Sequence, residues 1–197
     1  MCLPYYRSKL LLTVAALLCG LVRSIATPSI LDTAVNPGNG HTYYLLSSST
    51  WTDAESEAVS LGGHLATIRN QTEDDWLSGL WGVNRNLWIG LYDPNFTTDG
   101  SGAQHAADFI WSDGESAGYR NWYPGEPNGN PGEGYTYMYA QSIGFGDVWN
   151  DLANVSSTPG EPNLFGVVEV VPEPSAFILL AQAVLCGLTV KRLHRRN

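Results

Sequence analysis

Pro124-Gly125-Glu126-Pro127-Asn128, answered later in the chain by Trp149-Asn150-Asp151, is the stretch on which the reading of this sequence turns. A hard cation such as Ca²⁺ gathers about six to eight oxygen ligands, which carboxylates and amide carbonyls supply. Glu126, Asn128, Asn150 and Asp151 offer such oxygens, and Glu133, in Gly132-Glu133-Gly134, offers another. A proline between two ligands fixes the backbone so that the flanking side chains can converge, and X-Pro bonds are where cis peptides occur. Glu-Pro-Asn is equally ordinary turn composition. Pro159-Gly160-Glu161-Pro162-Asn163 repeats the same five residues, so the surroundings, not the tripeptide, must decide.

Those surroundings begin with the two ends. Residues 1–26 carry basic Arg7 and Lys9, the apolar run Leu10 to Val22, and Ser24-Ile25-Ala26 as a small-x-small cleavage site, the pattern of a secretory signal. Cys19 invites a lipoprotein reading, which the bulky Leu18 before it opposes. Residues 172–197 begin Pro172-Glu173-Pro174, run through apolar Ser175 to Val190, and end in Lys191, Arg192, His194, Arg195 and Arg196. That apolar run is short for a membrane helix, which takes about 20 residues, but basic flanks can snorkel, and the positive-inside rule keeps them cytoplasmic. A plain C-terminal anchor would read the same way. Either reading faces the middle of the chain outward.

From Thr27 to Val171 the only Lys or Arg residues are Arg69, Arg85 and Arg120, against 18 acidic residues. Such a surface repels phosphate backbones, which excludes nucleic acid as a partner and suits cations. Cys2, Cys19 and Cys186 all lie in the end segments, so no disulfide is expected in the middle.

Within the middle, 27–40 is Pro/Gly/Asn-containing and reads as a linker, and His41 to Leu46 as a first strand. Trp51 leads a helix, with Thr52 to Glu55 as its capping box, Ala54, Ala58 and Leu61 on one face and Gly62-Gly63 at its end. Thr72-Glu73-Asp74-Asp75 opens a second helix, its acids complementing the dipole, with Trp76, Leu77 and Leu80 apolar. His64 to Ile68, Leu87 to Leu91, Phe109 to Trp111, Tyr135 to Ala140 and Phe165 to Val171 read as extended segments, and Tyr92 to Ala107 as loop.

This order of elements resembles the C-type lectin-like family over 41–171. The resemblance rests on separated motifs: the Trp51 to Ile68 helix and its Gly-Gly-His-Leu-Ala exit, Trp88-Ile89-Gly90-Leu91, Trp111-Ser112-Asp113-Gly114, Asn121-Trp122, Glu126-Pro127-Asn128 and Trp149-Asn150-Asp151. It implies an α+β fold with two helices, two small antiparallel sheets and a long calcium-binding loop. It also implies that Glu126, Asn128, Glu133, Asn150 and Asp151 are both the metal ligands and the carbohydrate-binding residues. A sugar's vicinal hydroxyls would complete the shell, and Glu-Pro-Asn goes with mannose-type ligands. The 172–197 tail similarly resembles the PEP-CTERM sorting signal of Gram-negative bacteria. That implies cleavage by an exosortase-type membrane protease and a place at the cell surface or in an exopolysaccharide matrix.

Three departures from the lectin-like pattern stand out. Its usual cysteines are replaced at Ala58 with Val168 and at Tyr135 with Asn154, which forgoes about 2–5 kcal/mol per bridge and shifts weight onto bound calcium. Gly129 and Gly134 stand where acids of an accessory site are common, so one Ca²⁺ is expected. The loop is a residue short, which makes Glu133 the least anchored ligand. The function expected is calcium-dependent carbohydrate binding, with a structural adhesin or protein-binding module as the alternative. No enzyme is expected: the acids are better used as metal ligands than as a glycosidase pair, no nucleophile elbow is present, and His41, His64 and His105 lack zinc spacing.

Overall fold

Leu87-Trp88-Ile89-Gly90-Leu91 becomes the buried centre of the sheet, because its side chains alternate between two apolar clusters and neither face meets water. A computed structural model describes residues 27–97, 106–128, 130–155 and 163–172. The expected leader at 1–26, the tail from Glu173 onward, all three cysteines and His105 lie outside the described residues. Among the described residues no helix is long and apolar enough to cross a membrane; the apolar stretch 175–190 is not among them.

The elements are β1 (Ile30–Val35), β2 (Thr42–Ser48), α1 (Trp51–Ser60), β3 (His64–Leu65), α2 (Gln71–Leu80), β4 (Asn86–Tyr92), β5 (Ile110–Trp111), β6 (Tyr135–Met138), β7 (Trp149–Leu152) and β8 (Leu164–Val170), with a 3-10 turn at Gln141–Ile143. The α+β reading with two helices holds, with one refinement. The antiparallel group β1, β2, β8, β3 and the antiparallel group β4, β5, β6, β7 are joined into one mixed sheet by a parallel pairing of β4 with β8. On one side Leu87, Ile89 and Leu91 pack with Leu77, Trp81, Trp111, Met138 and Trp149 beneath α2. On the other, Trp88 packs with Trp51, Ala54, Ala58, Tyr137 and Val168 beneath α1.

Three expectations need correction. The segment 27–40, expected as a linker, contains β1, which pairs along β2 from Ile30 opposite Leu46 to Val35 opposite Thr42; its mostly exposed residues hide the strand from a hydrophobic count. The cap of α1 is Thr50 rather than Thr52: its hydroxyl accepts from Asp53 N at 3.2 Å and donates to Asp53 Oδ2 at 2.8 Å. In α2, Asn70 caps the helix while Glu73 and Asp74 are buried rather than presented to solvent, and Leu80 is exposed. At the positions read as the second replaced cysteine pair, Tyr135 and Asn154 make other contacts. Tyr135 stacks on Trp51 at 4.8 Å, whereas Asn154 Oδ1 accepts from Thr52 N at 3.1 Å, so both tie down the start of α1. Ala58 and Val168 do share one apolar cluster.

Glu73 is buried because it belongs to an ion network at the start of α2. Arg69 Nη1 donates to Glu73 at 3.2 Å and to Glu169 at 2.8 Å, and Tyr43 OH donates to Glu73 at 2.6 Å. His41 Nδ1 lies 2.5 Å from Glu169, and His64 Nδ1 lies 2.6 Å from Glu55, so each is held against a carboxylate. In the loop after β4, the Phe96 ring packs edge-on against Tyr135 at 5.3 Å, and a Cβ added at Gly134 would fall 2.2 Å from that ring. No acid can stand at position 134 without displacing Phe96.

The corrected cap can be tested. Thr50→Ala should destabilise the protein by about 1 kcal/mol in urea unfolding, as loss of an N-cap does, whereas Thr52→Ala, which loses exposed contacts to Asn154 and to the Thr50 hydroxyl, should cost less.

Candidate functional site

The loop that carries Glu126 is docked onto β7 by the backbone. Trp149 N donates to Asn121 O at 2.7 Å, Tyr123 N donates to Trp149 O at 2.8 Å, and Glu126 N donates to Tyr123 O at 2.9 Å. The Glu126-Pro127 peptide is cis. Asn128 N then reaches Asp151 Oδ1 at 3.4 Å, and Asn128 Oδ1 accepts from Asn130 N at 3.0 Å. Glu133 follows, its N donating to Asn130 O at 3.2 Å. On β7, Asn150 pairs in register with Tyr137 and Asp151 with Thr136, and Asn150 Nδ2 donates to Tyr137 OH at 3.4 Å.

The decisive feature is what these side chains leave undone. Glu126 Oε2, Glu133 Oε2, Asn150 Oδ1 and Asp151 Oδ2 are buried and have no hydrogen-bond partner. Buried polar atoms are nearly always paired, because an unpaired one costs free energy. Here four acceptors without donors come from four of the five residues singled out by sequence. The fifth, Asn128, is exposed and its amide oxygen meets Asn130 N.

The electrostatics point the same way. Burial, with the negative charges of Glu133 and Glu126 beside it, pushes the Asp151 carboxyl up to about 7, against a backbone hydrogen bond that lowers it. Burial also raises Glu133; a hydrogen bond from Asn130 opposes this and the Glu126 charge adds to it. Like charges gathered in a desolvated place disfavour ionisation, and a bound cation reverses that balance. Among the described residues no three His, Cys, Asp or Glu side chains alone form a metal cluster. The oxygen set is instead mixed, amide and carboxylate, as suits a hard cation.

One residue behind the site was missed. Asp74, fully buried on α2, accepts from Trp149 Nε1 at 3.0 Å, Asn121 Nδ2 at 2.7 Å and Tyr119 OH at 2.9 Å. It thereby clasps the residue preceding Asn150-Asp151 to the segment leading into Glu126. Burial raises its carboxyl to about 7, although all three hydrogen bonds oppose the shift. A signal was present: Asp74, Leu77, Ser78 and Trp81 share one helical face, and Leu77, Ser78 and Trp81 are as buried as Asp74.

The Lectin C-type domain family matches residues 47–154, more than half of the chain. The low affinity immunoglobulin epsilon Fc receptor of Mus musculus is 36% identical over 110 residues, which cover 55% of this chain and 29% of the receptor. The alpha-N-acetylgalactosamine-specific lectin of Patiria pectinifera is 32% identical over 125 residues, covering 58% of this chain and 68% of the lectin. The chain thus spans under a third of the receptor's length and about two thirds of the lectin's. Among solved structures, the cow C-type carbohydrate-recognition domain of CD23, crystallised with a GlcNAc2Man3 oligosaccharide, matches at 26% identity with a TM-score of 0.52, over 68% of this chain and 89% of that one.

Proposed function

The chain belongs to the C-type lectin domain family, and from that premise we propose that it is a calcium-dependent carbohydrate-binding module presented outside the cell. The observation that carries this reading is the set of four buried, unpartnered oxygens on Glu126, Glu133, Asn150 and Asp151. A single Ca²⁺ would satisfy those acceptors and neutralise the clustered carboxylates. Asn128 belongs to the same set, its backbone already held to Asp151.

The carbohydrate half of the proposal rests on chemistry at the same residues. Glu126 contributes an acceptor and Asn128 and Asn150 contribute amide donors, so a sugar with two neighbouring hydroxyls finds an ordered donor and acceptor array. The Glu126-Pro127-Asn128 order supports mannose-type hydroxyl geometry. The Patiria pectinifera relative is N-acetylgalactosamine-specific by name, so ligand choice within the family varies and must be measured. The acids that converge in the loop and on β7, Glu126, Glu133 and Asp151, are better explained as cation ligands than as a hydrolytic pair. The leader and the tail, outside the described residues, support export and exosortase-type processing at a Gram-negative surface, with an exopolysaccharide as the natural ligand.

The test is a thermal melt in about 10 mM calcium and in chelator. With calcium affinity in the ~10⁻⁴–10⁻³ M range of extracellular modules, binding should add about 1–3 kcal/mol and raise Tm by about 5–10 °C. An unchanged Tm would sink the cation reading.

A further inference from the structure

A row of aromatic rings connects the two halves of the site, and cation binding does not use it. Asn150 Nδ2 donates to Tyr137 OH at 3.4 Å. From Tyr137 the rings step to Tyr139 at 4.9 Å, to Phe145 at 5.0 Å, and to Tyr123 at 5.2 Å from Phe145. Tyr123 closes the circuit, because its carbonyl accepts from Glu126 N at 2.9 Å. The row therefore starts at one cation-site residue and ends at another.

The outer members face solvent. Phe145 is 46% exposed and Ile143 37% exposed, Tyr123 and Tyr139 are half-buried, and neither Phe145 nor Ile143 belongs to a core cluster. Their position is nonetheless held. Gly144 and Gly146 flank Phe145 at φ of 86° and 83°, a left-handed backbone that favours glycine. Gln141 N and Ser142 N donate to Gly82 O and Val83 O, both at 2.9 Å, and Tyr139 N donates to Val148 O at 3.0 Å. A large apolar ring kept at the surface on a fixed turn, beside two hydroxyl-tipped rings, is a preorganised contact surface.

We propose that Tyr123, Tyr139 and Phe145 form a second sugar subsite, which takes the next pyranose ring of an oligosaccharide whose terminal ring sits at Glu126, Asn128 and Asn150. The inference rests on the carbohydrate reading above. A pyranose presents a C–H face that packs on an aromatic ring while its hydroxyls remain free for the tyrosine hydroxyls. Continuity with the cation site selects this occupant: a ring linked to the terminal sugar has the Tyr123-to-Tyr139 row beside it, whereas a partner protein would have no reason to meet the cation-site residues at both ends.

The test is calorimetric titration of the full chain in calcium against methyl α-mannoside and an α-linked mannobiose. Wild type should bind the disaccharide about threefold to tenfold more tightly. Phe145→Ala should lose that gain and keep its monosaccharide affinity, and Phe145→Tyr should retain both. Equal affinity of wild type for the two sugars would overturn the inference while leaving the parent reading in place. So would a Phe145→Ala protein that keeps the gain, that loses both sugars together, or that changes only its oligomeric state in a sizing column. Calcium uptake with no binding of either sugar by wild type would remove the parent reading and this inference with it.

Discussion

Asp151→Asn is expected to make the calcium-free protein more stable at pH 8 while abolishing its response to calcium. The Asp151 carboxyl is fully buried and is pushed up to about 7 by burial and by the charges of Glu133 and Glu126. A raised acid binds its proton more tightly in the folded than in the unfolded chain, so stability falls as pH rises from about 4 through 7. At pH 8 the full cost is present. That cost, on the order of 1–4 kcal/mol, is what an amide removes, and the new Asn amide can donate to Glu126 or Glu133. The same change deletes a cation ligand, so the calcium-induced rise in Tm should vanish. Stability sacrificed at a binding site is a common exchange. A less stable apo variant, or one that still responds to calcium, would contradict this account.

Asp74→Ala should produce the largest loss of stability of any single change near the site, about 2–4 kcal/mol. Trp149 Nε1 would be left buried without an acceptor, since Asp74 is the partner it meets at 3.0 Å, and an orphaned buried donor costs about 1–3 kcal/mol. Tyr119 keeps Gln71 as a second partner at 2.8 Å, and Asn121 keeps a longer contact to Asp147 O at 3.4 Å, so they add less. The effect should reach the cation site, because Asp74 joins Trp149 to the segment leading to Glu126. Urea unfolding at pH 8 measures the first effect and calcium titration the second. Asp74→Asn should be milder, and it should also remove part of the decline in stability between about pH 4 and 7, since the Asp74 carboxyl titrates near 7 in the folded protein. An Asp74→Ala protein of wild-type stability would show that the three hydrogen bonds contribute nothing net.

The candidate site was legible through its surroundings rather than through Glu-Pro-Asn, which recurs at 161–163. The separated motifs that carry the family resemblance select Glu126, Asn128, Glu133, Asn150 and Asp151, and the orphaned oxygens fall on four of those five. The parts that escaped are those whose meaning depends on distant partners. Asp74 reads as an acid suited to a helix N-terminus, and only Trp149, 75 residues away, turns it into a buried clasp. Thr52 looks like a better cap than Thr50 because Glu55 follows it at box spacing, yet Glu55 is drawn off by Leu65 N at 2.9 Å and by His64. Strand β1 has exposed Ile30, Leu31 and Val35, so its burial pattern carries no period, and pairing with β2 alone makes it a strand. The two antiparallel groups were expected separately, because a parallel step between β4 and β8 leaves no local mark in either strand.

Retention of the full chain on mannose-agarose in millimolar calcium, followed by chelator, is the most direct test of calcium-dependent mannose recognition. Retention with calcium, release by chelator, and no retention of a variant carrying both Asn150→Ala and Asp151→Ala are expected. Flow-through in calcium by a protein whose melt shows that calcium is bound would contradict mannose-type recognition, and retention that survives chelator would contradict the role assigned to the cation.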